Sequence, residues 1–439
     1  MDQLNHKKDA SGHLSASALS QALLLIGPFR EVVTFKEAPL AGPLSENDLG
    51  IIKEGGIVVD SSGVIVATGL FTALQEMYKG RSDCKYCPTT ADQVLLPGFI
   101  DAHTHILFAG SRARDYSLRL AGKSYLQIAQ SGGGIMETVR ATRQAADTAL
   151  LNALQQRLIK LQGAGVTTVE VKSGYGLSVS QELRMLRLLK TLSHMPELDF
   201  MEVVPTCLAA HINPPDSGLV KNSDYLQELS LDLLPQIKAE GLAKRVDIFV
   251  EDTAFTLREA RTYLGCAKAL GFDLTVHADQ FTPGAAQLAV EMKAVSADHL
   301  EAVTQKGIEA LADSKTVATV LPGASLGLGI PMAPARKLLD AGCILALASD
   351  WNPGSAPMGD LLTQASLMGA YQQLNMAETL AAITFRAAAA LGLTDRGRLK
   401  AGLFADMQAY NVKDYREILY HQGQLRPAII WKKSKPYDQ

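Results

Sequence analysis

The chain has 439 residues, 47% hydrophobic and 20% charged, a composition that supports a sizeable buried core and argues against disorder or a membrane-embedded fold. A formal net charge of −3 gives no long-range attraction to nucleic acid or to anionic lipid. Five cysteines (Cys84, Cys87, Cys207, Cys266, Cys343) are odd in number and too sparse for a disulfide framework, which fits a reducing, cytoplasmic setting.

Residues 1–18, "MDQLNHKKDASGHLSASA", are polar and unpatterned, and a flexible tail is expected there. The apolar run "ALLLIGPF" is too short to span a bilayer and reads as a strand. "LLLIGPFREVVTF" and "IIKEGGIVVDSSGVIVATG" combine β-branched runs with Gly and Asp-Ser-Ser-Gly turn chemistry, the pattern of antiparallel strands. "CKYC" at 84–87 lacks a second pair of ligands, so a loop with two free thiols accounts for it as well as structural zinc does. No role is assigned to it.

From Pro97 the pattern becomes a repeated alternation of short apolar runs and longer helical segments. Eight strand-like runs occur: "GFIDAHTHI", "GVTTVEVKSG", "DFMEVVPTCLAAH", "RVDIFVED", "FDLTVHADQ", "AVSADHLE", "TVATVLPGA" and "CILALASDWNPG". Helices are expected between them, among them "SVSQELRMLRLLKTLSH" and "MAPARKLLDAG". Eight repeats favour a closed (β/α)8 barrel of the TIM type over a doubly wound open sheet. After one more helical stretch, "AETLAAITFRAAAALGL", the tail returns to strands and is expected to pair with the N-terminal segment. The expected fold class is α/β, with a barrel over 96–394 and a small β-sandwich domain from 19–95 plus 395–439.

Five of the nine histidines (His103, His105, His211, His277, His299) sit at or near C-terminal ends of predicted strands, the end at which a barrel gathers its active site. Side chains two apart on a strand share a face, so His103 and His105 can reach one ion. Taken alone the pair is more often a polar strand end. With His277 from the fifth strand and Asp350 from the eighth it becomes a three-imidazole, one-carboxylate set suited to one divalent ion, zinc or iron(II), with room for a water.

Such an ion lowers the pKa of its water, and a neighbouring carboxylate can take the proton; Asp350 is the expected base. His299 is expected to hydrogen-bond the water or the developing oxyanion. The fourth strand ends without a lysine, which favours one metal over two, and Glu251 and Asp252 are expected to be structural. Lys172 and Glu170 share a strand face, so an internal ion pair accounts for both. "SGGGI" does not directly follow a strand and has no suitably spaced lysine, and reads as a mobile active-site loop rather than a phosphate cradle.

"PGFIDAHTH", with histidines ending strands five and six and an aspartate ending strand eight, resembles the amidohydrolase superfamily of metal-dependent hydrolases. "HILFAGSRARDYSLRLAGKSY", "SGGGIMETVRATR", "EVKSGYGL", "VHADQ", "SADHLE", "LPGAS" and "SDWNPGSAP" narrow the likeness, over roughly Leu95 to Tyr410, to members acting in histidine catabolism. The resemblance implies hydrolysis of the cyclic amide of 4-imidazolone-5-propanoate to N-formimidoyl-glutamate, a small-molecule substrate, and a homodimer. It also implies substrate contacts for Arg112, Tyr175, His211, Asn352, Gly354 and Ser355, and Tyr125 fits the same pattern. A guanidinium suits the substrate's carboxylate.

Gln280 stands where some members have glutamate; it can hydrogen-bond the ring but cannot act as a base. The chain departs from the family pattern at 325–329 ("SLGLG") and 206–210 ("TCLAA"), which bears on the exact substrate. Two other readings stand beside the first: another mononuclear-metal cyclic amidohydrolase or heterocycle deaminase acting on a carboxylate-bearing ring, and a noncatalytic scaffold. The complete ligand set argues against the scaffold.

Overall fold

The computed structural model describes residues 22–123, 127, 131–192, 200–216, 218–219 and 221–437. The expected tail at 1–18 and Tyr125 lie outside the described residues.

Strands from both ends of the chain form one sheet. β1 (Leu23–Val32), β2 (Ile52–Asp60) and β3 (Ile65–Leu70) are an antiparallel meander. β4 (Cys84–Pro88) and β5 (Val94–Pro97) lie parallel to β1 at successive positions along it. β5 then pairs antiparallel with β14 (Met407–Tyr410), which continues into β15 (Ile429–Lys432) and β16 (Lys435–Tyr437).

The two ends of this sheet face each other across a core that includes Ile26, Phe29, Val59, Met407 and Trp431. Phe29 on β1 meets Trp431 on β15 edge to face at 6.3 Å, and Val64 bridges Phe404. The sandwich expected from the sequence is thus one continuous sheet curled over on itself. Helix α1 (Phe71–Tyr78) covers its other face through Phe71 and Leu74.

"CKYC" is a strand, not a loop. Positions three apart on a strand face opposite ways, so Cys84 packs with the α1 cluster while Cys87 packs with the sandwich core. The two thiols do not converge on a common ligand, and all five cysteines are free.

All eight expected barrel strands form a parallel sheet in chain order: β6 (Phe99–Asp101), β7 (Val166–Lys172), β8 (Glu202–Ala210), β9 (Arg245–Ile248), β10 (Asp273–Ala278), β11 (Ser296–His299), β12 (Val317–Val320) and β13 (Leu345–Leu347). The seam between first and last closes just beyond the strand ends, where Thr104 bridges Trp351 in parallel. There Asp350 N–H donates to the His103 carbonyl at 3.0 Å and His105 N–H to that of Trp351 at 2.9 Å. Asp101 reinforces the seam by accepting from Ser349 N–H (2.9 Å) and Ser349 Oγ (2.5 Å).

The helices follow the expected alternation, with one break. The run 377–393 divides into Met376–Ala382 and Phe385–Ala390, with Thr384 outside helical geometry between them. At the break the Ile383 carbonyl accepts Ile100 N–H of β6, so the interruption ties this segment to the first barrel strand.

Candidate active site

The strand ends gather the expected histidines. His103 and His105 extend from β6, His277 lies on β10, His299 ends β11 and Asp350 follows β13; all five are buried. His299 (φ 88°) and Asp350 (φ 51°) leave their strands in the left-handed region, a conformation that β-chain residues rarely adopt and that turns each side chain out of the strand's alternation.

Each imidazole whose Nδ1 is held presents its other nitrogen to the centre. His103 Nδ1 lies 2.7 Å from Asp298 Oδ2, and His277 Nδ1 lies 2.9 Å from Asp247 Oδ2. A carboxylate on Nδ1 fixes the proton there and leaves Nε2 as a lone pair. His103 Nε2 is 3.2 Å from His105 Nε2, which is 3.3 Å from His277 Nε2. Asp350 Oδ1, buried and without a hydrogen-bond partner, lies 3.5 Å from His103 Nε2 and 3.3 Å from His105 Nε2.

These separations fit a divalent ion, because tetrahedral ligands at about 2.0–2.1 Å stand about 3.3–3.4 Å apart. Burial pulls His105 down to about 3 and His277 to about 4, and carries His103 well below its ordinary value, so all three are neutral, as ligands must be. His299 behaves differently. Burial pulls it down, but Glu301, Asp350 and Asp298 outweigh burial and hold it above its ordinary value. Burial likewise raises Asp350, against the opposing charges of His299 and His277.

Lys172 sits beneath this cluster, 2.7 Å from Glu170 Oε1 and 2.9 Å from Asp247 Oδ2. The expected Lys172–Glu170 pair therefore has a third member, and through Asp247 it reaches His277. Burial would raise Asp247, but His277 and Lys172 reverse the effect and keep it ionised. Glu251 accepts Phe281 N–H at 2.8 Å and Thr282 Oγ1 at 2.6 Å, which is a structural use. Asp252 is exposed.

The other expected contacts fall on two sides of the histidines. The His211 ring stacks on His105 (5.6 Å, 24°) and lies 3.0 Å from the Gly174 carbonyl through Nδ1. Burial pulls it down to about 4, so it is neutral, with Nδ1–H donating and Nε2 accepting. Tyr175 packs 6.2 Å from His105 and 5.7 Å from His211; burial, then the Asp350 charge, push its phenol up, and it stays a neutral donor. Gln280 is buried, and its side-chain amide makes no protein hydrogen bond among the described residues.

On the seam side, a cleft of about 390 Å3 is lined by Arg112, Tyr116, Arg157, Trp351, Asn352 and Gly354 among others. Arg112 precedes α2 (Ala113–Leu120). Asn352 is committed to the turn: Nδ2 donates to the Asp350 carbonyl (2.7 Å) and Ser355 Oγ (2.9 Å), and Oδ1 accepts Gly354 and Ser355 N–H (2.8 Å each). A Cβ at Gly354 would stand 3.1 Å from Arg112 Nη1 and crowd the guanidinium, so the glycine lets the eighth loop approach the arginine closely. Ser355 Oγ lies 3.5 Å from Asp350 Oδ2. A second cleft, about 420 Å3, lies on the small sheet beside Glu76, Lys79 and Tyr86 and includes none of these residues.

The sequence reading missed the carboxylates that act through another residue: Asp247, Asp298, Asp101 and Asp115. One signal was available for Asp247 and Asp298, each a carboxylate inside an otherwise apolar strand run. Glu301, which accepts from Ser325 Oγ at 3.0 Å and lies 3.5 Å from His299 Nδ1, was likewise unassigned; its partner Ser325 comes from the departing stretch at 325–329. "SGGGI" is a turn that leads into α3 (Ile135–Gln144), with Gly134 at the N-cap.

Residues 128–420 match a family model described as "Amidohydrolase family". An imidazolonepropionase of Deinococcus radiodurans is 42% identical over 395 residues, 90% of this chain and 94% of that protein. One of Symbiobacterium thermophilum is 39% identical over 94% of this chain and 96% of its own, and one of Geobacillus kaustophilus 37% identical over 94% and 97%. Among solved structures, a zinc-bound adenosine deaminase of Xanthomonas campestris superposes with a TM-score of 0.67 at 19% identity, covering 94% of this chain and 92% of that one. A triazine hydrolase variant gives 0.69 at 15% identity, covering 95% of each. These two establish the shared fold. Among the described residues no helix is long and apolar enough to cross a membrane.

Proposed function

The chain belongs to the imidazolonepropionase family of amidohydrolases, and from that premise we propose that it hydrolyses the cyclic amide of 4-imidazolone-5-propanoate to N-formimidoyl-L-glutamate. The observation that carries this reading is the convergence of His103, His277 and Asp350 on His105, whose Nε2 lies 3.2–3.3 Å from a ligand atom of each, beside the arginine-lined cleft.

These four residues would hold one divalent ion. Bound there, it would lower the pKa of a water and polarise the ring carbonyl. Zinc is the ion found in the adenosine deaminase of the same fold, and the His3Asp donor set suits iron(II) equally.

The chain's own residues do the rest. Asp350 takes a proton from the attacking water and delivers it to the ring nitrogen as the carbon–nitrogen bond breaks, so that the carbonyl carbon leaves as a carboxylate. His299 donates to the oxyanion that develops on that carbon. Tyr175, His211 and Gln280 face the ring as a neutral donor, an acceptor and an amide able to do both. Arg112 binds the propanoate carboxylate. Asn352, Gly354 and Ser355 keep the eighth loop against Arg112 and Asp350, Asn352 doing so through the turn.

We divide the chain into a catalytic barrel over 96–394 and a small domain from 19–95 plus 395–439. Five free cysteines fit a reducing cytoplasm, where we place the enzyme as a homodimer. The test is to purify the protein, count its metal and follow loss of imidazolone propanoate absorbance. Turnover that is lost on chelation and restored by zinc or iron(II) supports the reading; metal-loaded protein that leaves the substrate untouched overturns it.

A further inference from the structure

Arg112 is not held by the loop that carries it. Its Nε donates to Asp115 Oδ2 at 2.5 Å, one turn along α2, and its two Nη groups have no protein partner among the described residues. Asp115 is almost fully buried, and the same oxygen accepts Gly134 N–H at 2.9 Å. Its other oxygen, Oδ1, is buried without a hydrogen-bond partner. One carboxylate thus joins the arginine of the first loop to the N-cap of the ten-residue helix α3, where the helix dipole favours negative charge.

Arg119, on the same face of α2, completes the arrangement by donating from Nη2 to the Gly354 carbonyl at 2.8 Å. The face of α2 formed by Arg112, Asp115 and Arg119 therefore touches the glycine-rich segment on one side and the eighth loop on the other.

We propose that Asp115 is the positioning residue for substrate recognition: it grips Arg112 by Nε, turns the paired Nη groups outward as a fork, and makes the enzyme selective for a carboxylate-bearing ring. The proposal rests on the reading of Arg112 as the carboxylate's partner. The energetic logic is preorganisation. A guanidinium held on one edge by a buried carboxylate keeps its other edge in one plane, and two parallel N–H groups match a carboxylate bidentately. One carboxylate among Arg112, Arg119 and Arg157 also leaves the surroundings of the cleft positive, so an anionic group is welcome there and a neutral one is not.

The two contacts on Asp115 converge on a single oxygen, which gives a clean pair of variants. Asp115→Asn can keep both hydrogen bonds and loses only the charge, while Asp115→Ala loses both. Both are assayed as full-length, metal-loaded enzyme against 4-imidazolone-5-propanoate and its primary amide, alongside Arg112→Ala. We expect Asp115→Ala to raise KM about 10- to 100-fold with kcat little changed, to erode the preference for the acid over the amide, and to retain its metal. Asp115→Asn shifts KM in the same direction by less.

If Arg112→Ala raises KM and neither Asp115 variant does, the positioning role is overturned and the reading of Arg112 survives. If Arg112→Ala leaves KM unchanged, the reading of Arg112 falls and takes the proposal with it. A loss in Asp115→Ala confined to kcat or to metal content also overturns the proposal, because a merely structural role would produce that pattern.

Discussion

The two ends of the barrel are both rich in buried charge, but they use it in opposite ways. At the N-terminal end Arg396 reaches Glu202 (2.5 Å), the first residue of β8, together with Asp395 (2.8 Å) and Thr168 (3.1 Å). Beside it Lys432, from β15, pairs with Asp406 at 2.5 Å. Opposite charges meet directly there, and they fasten the small sheet to the barrel. At the C-terminal end the opposite charges, Asp247 and Asp298, are spent behind the imidazoles, and the inward-facing atoms are Nε2 lone pairs and an unpartnered carboxylate oxygen. Satisfied charge marks a joint; acceptors crowded against acceptors mark a place for a cation.

The sharpest way to break this contrast is Asp350→Asn. The amide removes the base and weakens the ligand set, and kcat is expected to fall by about 10^2–10^4-fold in enzyme reconstituted with metal. Steady-state kinetics with metal counted in the same sample check it. Near-normal turnover would move the proton transfer to another group, with His299 first in line.

A smaller effect is expected one layer back. Asp247→Asn leaves His277 in place but loosens its tautomer and orientation, and metal affinity is expected to drop about 10- to 100-fold. Competition with a chelator of known affinity measures it. An unchanged affinity would assign Asp247 to Lys172 alone and reduce the layer beneath the site to an ion pair.

The same two layers separate what was legible in the sequence from what was not. His103, His105, His277 and Asp350 could be read because each sits at the end of an apolar run, and the barrel makes run ends converge. Arg112 and Tyr175 came from the resemblance. Asp247 and Asp298 each answer a histidine on a different strand, and which strands are neighbours is a property of the closed barrel; Asp115 stands at helical spacing from Arg112, but its second partner, Gly134 N–H, belongs to another segment. Local weakness hid other elements. α1 has eight residues and no side-chain cap at its start, and β4 pairs with β1 alone, so neither carried a strong periodic signal. The split at Thr384 depends on the carbonyl that β6 needs, which helical periodicity does not encode.

The smallest effect on catalysis belongs to the far end. Lys432→Met leaves Asp406 buried beside Arg396, whose Nη1 is 3.9 Å away and offsets only part of the lost partner. Breaking a buried pair from one side costs about 3–5 kcal/mol when nothing compensates, and the nearby guanidinium should keep the loss below that range. The thermal midpoint should therefore fall while kcat and KM for the metal-loaded enzyme stay as they are. Replacing both partners, Lys432→Met with Asp406→Leu, should recover much of the stability, because two apolar groups leave no stranded charge. A Lys432→Met enzyme that folds with its metal but turns over poorly would show that the two ends are coupled through Thr168 and the strand that carries Glu170 and Lys172, and the division between joint and site would have to be redrawn along β7.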